Sequence, residues 1–236
     1  MSTSSAEGIR WDLSDLFSSN DDPRIEATLN NCHARAAAFA ARFRPVMEHP
    51  ETLTAAPLLD ALKELEIIYE ALGRVGSYAG LLYAADTANP DYQNLEQRVE
   101  QRSTEIHNLL LFFEIQWLKT EDLIAHRLVG DATLQTYSHY LQSLRRFRPH
   151  TLTEPEEKVI NEKDNTGRNA FGRLFSEMTS SLTFAFEKQG EKADLNLSQI
   201  LSLLHESDRA LRQSAMETLY QGLSQHGQVL TFIYDT

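Results

Sequence analysis

The stretch Leu144–Lys188 constrains the fold most, because helix stops, helix starts and a change of hydrophobic period follow one another there with few ambiguous residues between them. Arg145, Arg146 and Arg148 place cations at the end of a predicted helix, where they complement the negative end of its dipole, and Pro149 lacks the N–H needed to continue it. Thr153 followed by Glu156 has the spacing of a capping box, in which hydroxyl and carboxylate each take a backbone N–H of the first turn, and Pro155 fits that turn. A second helix start is expected at Thr166, after which Phe171, Leu174, Phe175 and Met178 define one apolar face. The period then changes. Leu182, Phe184 and Phe186 alternate with Thr183, Ala185 and Glu187, the rhythm of a half-buried strand, and Gly190 sits where a hairpin would turn.

The rest of the chain reads as helix. Residues 1–10 are small and polar and predict a loose arm, followed by a short docked turn anchored by Trp11, Leu13, Leu16 and Phe17. Asp22 as cap and Pro23 at the first helical position open a helix that keeps Ile25, Leu29, Cys32, Phe39 and Phe43 on one face until Pro45. From Pro57, Leu58, Leu62, Leu65, Tyr69, Leu72, Ala79 and Tyr83 describe a long helix ending before Pro90. Gly73, Gly76 and Gly80 lie within it, and since each glycine costs about 1 kcal/mol in a helix relative to alanine, close approach of another backbone is expected there. Asn89 and Pro90 start a third helix that carries Tyr92, Leu95, Val99, Ile106, Leu110, Phe113 and Trp117 and can pair with its predecessor as an antiparallel hairpin. Leu109–Phe113 is apolar all round, which calls for burial by more than one neighbour. A shorter helix from Glu121 and another over Asp131–Phe147 follow; later, Ser198 and Ser207 are the expected caps of two more. Val229, Leu230, Phe232, Ile233 and Tyr234 crowd the last eight positions, so the chain is expected to stop within a core.

With 42% hydrophobic and 24% charged residues, the 236-residue chain has the composition of an ordinary globular protein. A formal charge of −12 opposes a nucleic-acid or anionic-membrane surface, which would need a basic face. Arg145, Arg146, Phe147, Arg148 and His150 have the composition of a stacking platform for RNA, but the helix end explains the same cations. Cys32 is the single cysteine, so no intramolecular disulfide forms and a reduced cytoplasmic setting is expected. The amino terminus lacks a basic segment followed by an apolar core, and no run approaches the roughly 18 apolar residues of a membrane span, so a soluble protein is expected.

The order of these signals resembles the oligoendopeptidase F family of zinc metallopeptidases, related to thimet oligopeptidase. The residues that carry the resemblance are the basic helix end, Pro149-His150-Thr151-Leu152, the acidic helix start, Gly167-Arg168, Phe171-Gly172-Arg173-Leu174-Phe175 and the hairpin. Trp11-Asp12-Leu13-Ser14-Asp15-Leu16-Phe17 is similar to the family's amino-terminal signature, and Ser77-Tyr78-Ala79 with Asp86-Thr87-Ala88-Asn89-Pro90 to its long helical hairpin. Asp208-Arg209 with Arg212 resembles the start of a later helix. The resemblance implies a parent protein that hydrolyses oligopeptides in a deep channel between helical halves, with zinc held by the histidines of H-E-x-x-H and a downstream glutamate.

That motif places two histidines four apart on one helix face, with the intervening glutamate activating the metal-bound water. The histidines of this chain, at 33, 49, 107, 126, 139, 150, 205 and 226, include no pair three or four apart. The nearest imitation, His205-Glu206-Ser207-Asp208-Arg209, puts an arginine, which has no lone pair to donate, where the second histidine belongs. His107, among apolar neighbours, reads as a hydrogen-bonded structural residue, Cys32 as a packed thiol. No G-x-S-x-G elbow and no phosphate-binding glycine loop appears. No catalytic, cofactor-binding or metal residue is therefore assigned.

The expectation is a mainly α protein of long antiparallel helices plus one small β-hairpin near residues 182–197. Its parts would be an arm over 1–20, a long-helix domain over 21–148, and a helix-hairpin-helix segment over 149–236 leading into a catalytic domain absent from this chain. Functionally the resemblance implies the non-catalytic amino-terminal part of a zinc-dependent oligoendopeptidase, forming a wall of the peptide channel, with zinc and the oligopeptide substrate belonging to the parent. The competing expectation is a self-sufficient helical module that associates with a partner or itself through the carboxy-terminal apolar face; no period near 34 residues suggests a repeat scaffold.

Overall fold

A computed structural model describes residues 11–188 and 190–235; the arm expected over 1–10 lies outside the described residues. The described residues are mainly α with one two-stranded antiparallel sheet. It divides into two compact units, Met1–Ala85 with Asp91–Glu162, and Asp86–Pro90 with Lys163–Thr236.

The first unit is built on three long helices, α1 (Pro23–Met47), α2 (Ala55–Ala85) and α3 (Pro90–Lys119). The Asp22 carboxylate caps α1 by accepting the Arg24 N–H at 2.9 Å, and it also takes the N–H and hydroxyl of Ser18 at 2.9 and 2.8 Å. The Arg24 guanidinium beside it, with these donors, holds the carboxyl far below the usual carboxylate range. Contrary to the sequence expectation, α1 does not stop at Pro45 but runs to Met47, whose side chain is buried. The N–H that proline lacks falls in the last turn, where its acceptor would have been the carbonyl of the exposed Ala41.

Side-chain pairs fix the helix directions. Arg35–Glu64 at 2.8 Å and Arg42–Asp60 at 2.9 Å ascend α1 while descending α2, so these two are antiparallel. Glu26–Arg98 at 3.0 Å and Asn30–Arg102 at 2.9 Å ascend α1 and α3 together. The main core combines Phe39, Phe43, Leu58, Leu62, Ile68, Ile106, Phe112, Phe113 and Trp117, and in the apolar run on α3 Leu110–Phe113 are buried while Leu109 is only partly so. A second cluster joins Phe17 to Ile25, Leu29, Val75, Tyr78, Leu95 and Val99. Trp11 is no anchor, being 87% exposed; Phe17 fills that role, edge-on to Tyr78 with ring centroids 5.2 Å apart.

The expected single helix over Asp131–Phe147 is divided. After α4 (Asp122–Val129), Asp131 accepts the N–H and hydroxyl of Thr133, starting a 3₁₀ turn over Ala132–Tyr137, and only then does α5 (Ser138–Arg145) begin. Arg145 does not serve the end of its own helix. Its guanidinium donates to the carbonyls of Trp117 and Thr120, both at 2.8 Å, and so closes the end of α3. In α6 (Glu154–Thr166), the Glu156 carboxylate accepts the Thr153 N–H as expected, but the Thr153 hydroxyl donates to that carboxylate instead of accepting a backbone N–H.

In the second unit, α7 (Arg168–Ser181) starts after Gly167, not at Thr166, which is the last residue of α6. Strands β1 (Thr183–Lys188) and β2 (Glu191–Asn196) pair antiparallel, and Gly190 supplies the turn with φ 87°. Leu182, Phe184 and Phe186 face a small core with Ile200, Ala215 and Leu219 from α8 (Leu197–Leu203) and α9 (Arg209–Ser224). The caps lie two residues before the expected Ser198 and one after the expected Ser207. Asn196 and Gln199 form a reciprocal capping box on α8, and Asp208 accepts the Ala210 N–H on α9. The last helix is α10 (Gly227–Asp235).

The expected close backbone approach at Gly73, Gly76 and Gly80 is not found: a Cβ would meet nothing within 4 Å at the first two and only the Glu96 carboxylate, 3.9 Å away, at the third. These positions lie on the open side of α2. Gly222 on α9 is tighter, since its Cβ would fall 2.5 Å from the buried Phe184 ring. Gly73→Ala and Gly76→Ala should therefore each raise stability by about 0.5–1 kcal/mol, whereas Gly222→Ala should lower it by about 1–3 kcal/mol. Urea unfolding of the three variants checks the opposite signs.

Candidate functional site

The imitation of a zinc motif does not lie on one helix. His205 and Glu206 occupy the turn after α8, Asp208 caps α9 and Arg209 is its first residue. Arg212 ties the turn by donating to the Glu206 and Ser207 carbonyls at 2.7 and 2.9 Å. The donor set does not fit zinc, because an arginine stands in for one imidazole and the remaining groups leave different elements. Among the described residues, no three histidines, cysteines or acids are grouped so as to hold a metal. Cys32 is buried, its thiol directed to the Ile68 carbonyl at 3.9 Å, and burial pushes it above its ordinary pKa, away from the reactive thiolate.

The first unit contains a cleft of about 360 Å³ beside α3. Leu111, Ile115 and Leu118 of α3, with Leu144 of α5 and Phe147, form its apolar walls; His107, Glu114, His150, Glu157 and Asn161 supply its polar groups. The α-helical period explains the α3 contribution, since 107, 111, 114, 115 and 118 fall on one face. Glu157 is fixed by the Leu152 N–H at 2.9 Å and Asn161 by its amide's bond to the Asn108 side chain at 2.9 Å. Glu114 is different: among the described residues it has neither a hydrogen bond nor an ion pair. Burial raises its pKa, the nearby His107 opposes that shift and Glu157 adds to it. Tyr140 beside it is pushed up to about 12 by burial and by the Glu114 charge.

Of these groups the sequence singles out only His107 and His150, and gives neither a chemical role. The local signal for Glu114 is a carboxylate embedded in Leu109–Leu118, an otherwise apolar run broken only by Gln116. Nothing local pairs it with residues of α6.

Long packed helices in the first unit and a helix-hairpin-helix arrangement in the second define a mainly helical scaffold, and the curated proteins it is similar to are oligopeptidases. The family model described as Oligopeptidase F matches residues 117–184. Oligopeptidase PepF of Bacillus subtilis is 25% identical over 175 residues, 72% of this chain and 26% of its own length. Group B oligopeptidase PepB of Streptococcus agalactiae is 23% identical over 224 residues, 93% of this chain and 36% of its own. The crystal structure of oligoendopeptidase-F from Enterococcus faecium superposes with a TM-score of 0.73 at 21% identity, covering 88% of this chain and 39% of that one, so the fold is shared. The resemblance to the amino-terminal portion of oligoendopeptidase F proteins thus holds, and the chain spans between about a quarter and about a third of the length of these curated relatives.

Proposed function

We propose that this chain is a non-catalytic, helical amino-terminal part of a zinc-dependent oligoendopeptidase, in which it forms one wall of the channel that admits peptides. The observation that carries the reading is the match to the amino-terminal region of oligopeptidases over 93% of this chain but only 36% of the relative's length. The chemistry agrees with it. Hydrolysis by this class needs a metal-bound water and a carboxylate to take its proton, held on one helix turn. The sequence offers no such pair of imidazoles, so the zinc and its water would be held by other residues of the parent. These helices would act by shape, admitting flexible oligopeptides and excluding folded chains. A cytoplasmic setting belongs to the same proposal and is supported by the single, buried cysteine. No described helix is long and apolar enough to cross a membrane.

The test is direct. The purified chain, supplied with zinc, should leave quenched fluorescent oligopeptides intact, whereas chelator-sensitive cleavage would contradict the proposal.

A second reading is favoured by one observation. On α10, Phe232 and Tyr234 remain 59% and 76% exposed although each sits edge-on to a phenylalanine of α7, Phe171 and Phe175. A self-associating module would use this face. Size-exclusion chromatography with light scattering separates the two: a stable dimer that Phe232→Ser dissociates favours the module, a monomer the channel wall.

A further inference from the structure

Two carboxylates, Glu114 and Glu157, reach the cleft beside α3, and among its described lining residues there is no lysine or arginine to neutralise them. Glu157 has a backbone partner; among the described residues Glu114 has no hydrogen bond or ion pair. The Glu114 carboxylate is half-buried between apolar neighbours, where a charge-assisted bond is stronger than at an open surface, and the group that matches both features is an incoming cation with an aliphatic stem. The walls suit such a stem, with Leu111, Ile115 and Phe147 forming the apolar surface. The volume of about 360 Å³ is within the range of ligand-binding clefts. His107 and His150 also line the cleft, but with no lysine or arginine among its described lining residues the two acids outweigh them against an anionic ligand, and a metal would lack a convergent donor set. We propose that this cleft binds the basic side chain of a peptide, the cation meeting Glu114 and the stem lying along the apolar walls.

The inference relies on the proposed function only for the peptide that carries the cation. Its test uses the full chain in about 150 mM salt, so that the general negative charge of the surface is screened. Two capped peptides, acetyl-Leu-Arg-Leu-amide and its analogue with neutral, isosteric citrulline, are titrated into isotopically labelled protein and followed by NMR. The expected result is saturating shifts confined to residues 107–118 and 144–161, with the arginine peptide bound at least tenfold more tightly, the ratio that a charge-assisted bond to a partly buried carboxylate gives. Glu114→Gln should erase that ratio. Equal affinity for the two peptides, or an arginine preference that survives Glu114→Gln, overturns the inference. The comparison in the unmodified chain stands even where the variant fails to fold. Peptide hydrolysis by the chain itself would overturn the proposed function and leave this binding result untouched; equal affinities would do the reverse.

Discussion

Trp117→Ala is expected to destabilise the first unit by about 4 kcal/mol, the cost of removing a large aromatic side chain from a packed core. The indole is fully buried in the main cluster with Phe112, Phe113 and Leu141. Three effects act together. The side chain's volume is lost from a packed core whose neighbours, carried on long helices, cannot collapse into the gap. The indole N–H, which donates to the Leu141 carbonyl at 2.9 Å, disappears and leaves that carbonyl without its indole partner. The Arg145 guanidinium, 5.6 Å from the ring centroid, loses the surface that orients it toward the end of α3. Urea unfolding followed by circular dichroism measures the loss, and a change below about 1 kcal/mol would show that Trp117 is not a core residue. Fluorescence offers a second readout. The other tryptophan, Trp11, is 87% exposed, so the variant should lose the blue-shifted component and keep the solvent-exposed one.

Arg44→Ala is the second large effect, expected at about 2 kcal/mol near neutral pH. Arg44 holds Glu154 through two parallel bonds, 2.9 and 2.8 Å, and its guanidinium lies 4.4 Å from the Phe112 ring centroid. The Glu154 side chain is 19% exposed and Arg44 33%, so the figure for a fully buried pair is reduced for solvent screening. The Arg44 guanidinium, helped by Lys158, pulls the Glu154 carboxyl down from an ordinary 4.5 to about 2. The sign follows from linkage: a carboxyl depressed in the folded state contributes stability that is complete above the unfolded value near 4.5 and is lost as pH falls through about 2. Glu154→Gln should therefore be less stable than the unmodified chain at pH 6, with the gap closing between pH 4.5 and 2. A gap independent of pH across that window would assign the effect to packing alone.

The elements with a strong local rhythm were legible in the residues. The three long helices and the alternation over Leu182–Phe186 are recovered because burial on one face imposes the period that the sequence displays, whereas Phe171–Met178 forms the expected helix with its apolar side chains only half-buried or, at Leu174, exposed. What was not legible depends on partners distant along the chain. The cations of residues 145–148 announce a helix end, but nothing local says that Arg145 would close α3 and not its own helix. Glycine shows the same limit. Gly73, Gly76 and Gly80 form the conspicuous pattern and face open space or a flexible carboxylate, while the isolated Gly222 is the one a ring presses against. The cleft is also a product of tertiary contact, since Glu114 and Glu157 come from helices whose adjacency no local motif encodes. The missing second imidazole at Arg209, by contrast, is a matter of residue type alone and is readable without any structure.

As proposed above, these residues would support a peptide channel without holding its metal. Elemental analysis of the purified full chain, equilibrated with zinc and then dialysed, decides between that role and a metal site within the chain. No stoichiometric zinc is expected to remain after dialysis; one zinc retained per chain and bound by residues within it would contradict the proposed role.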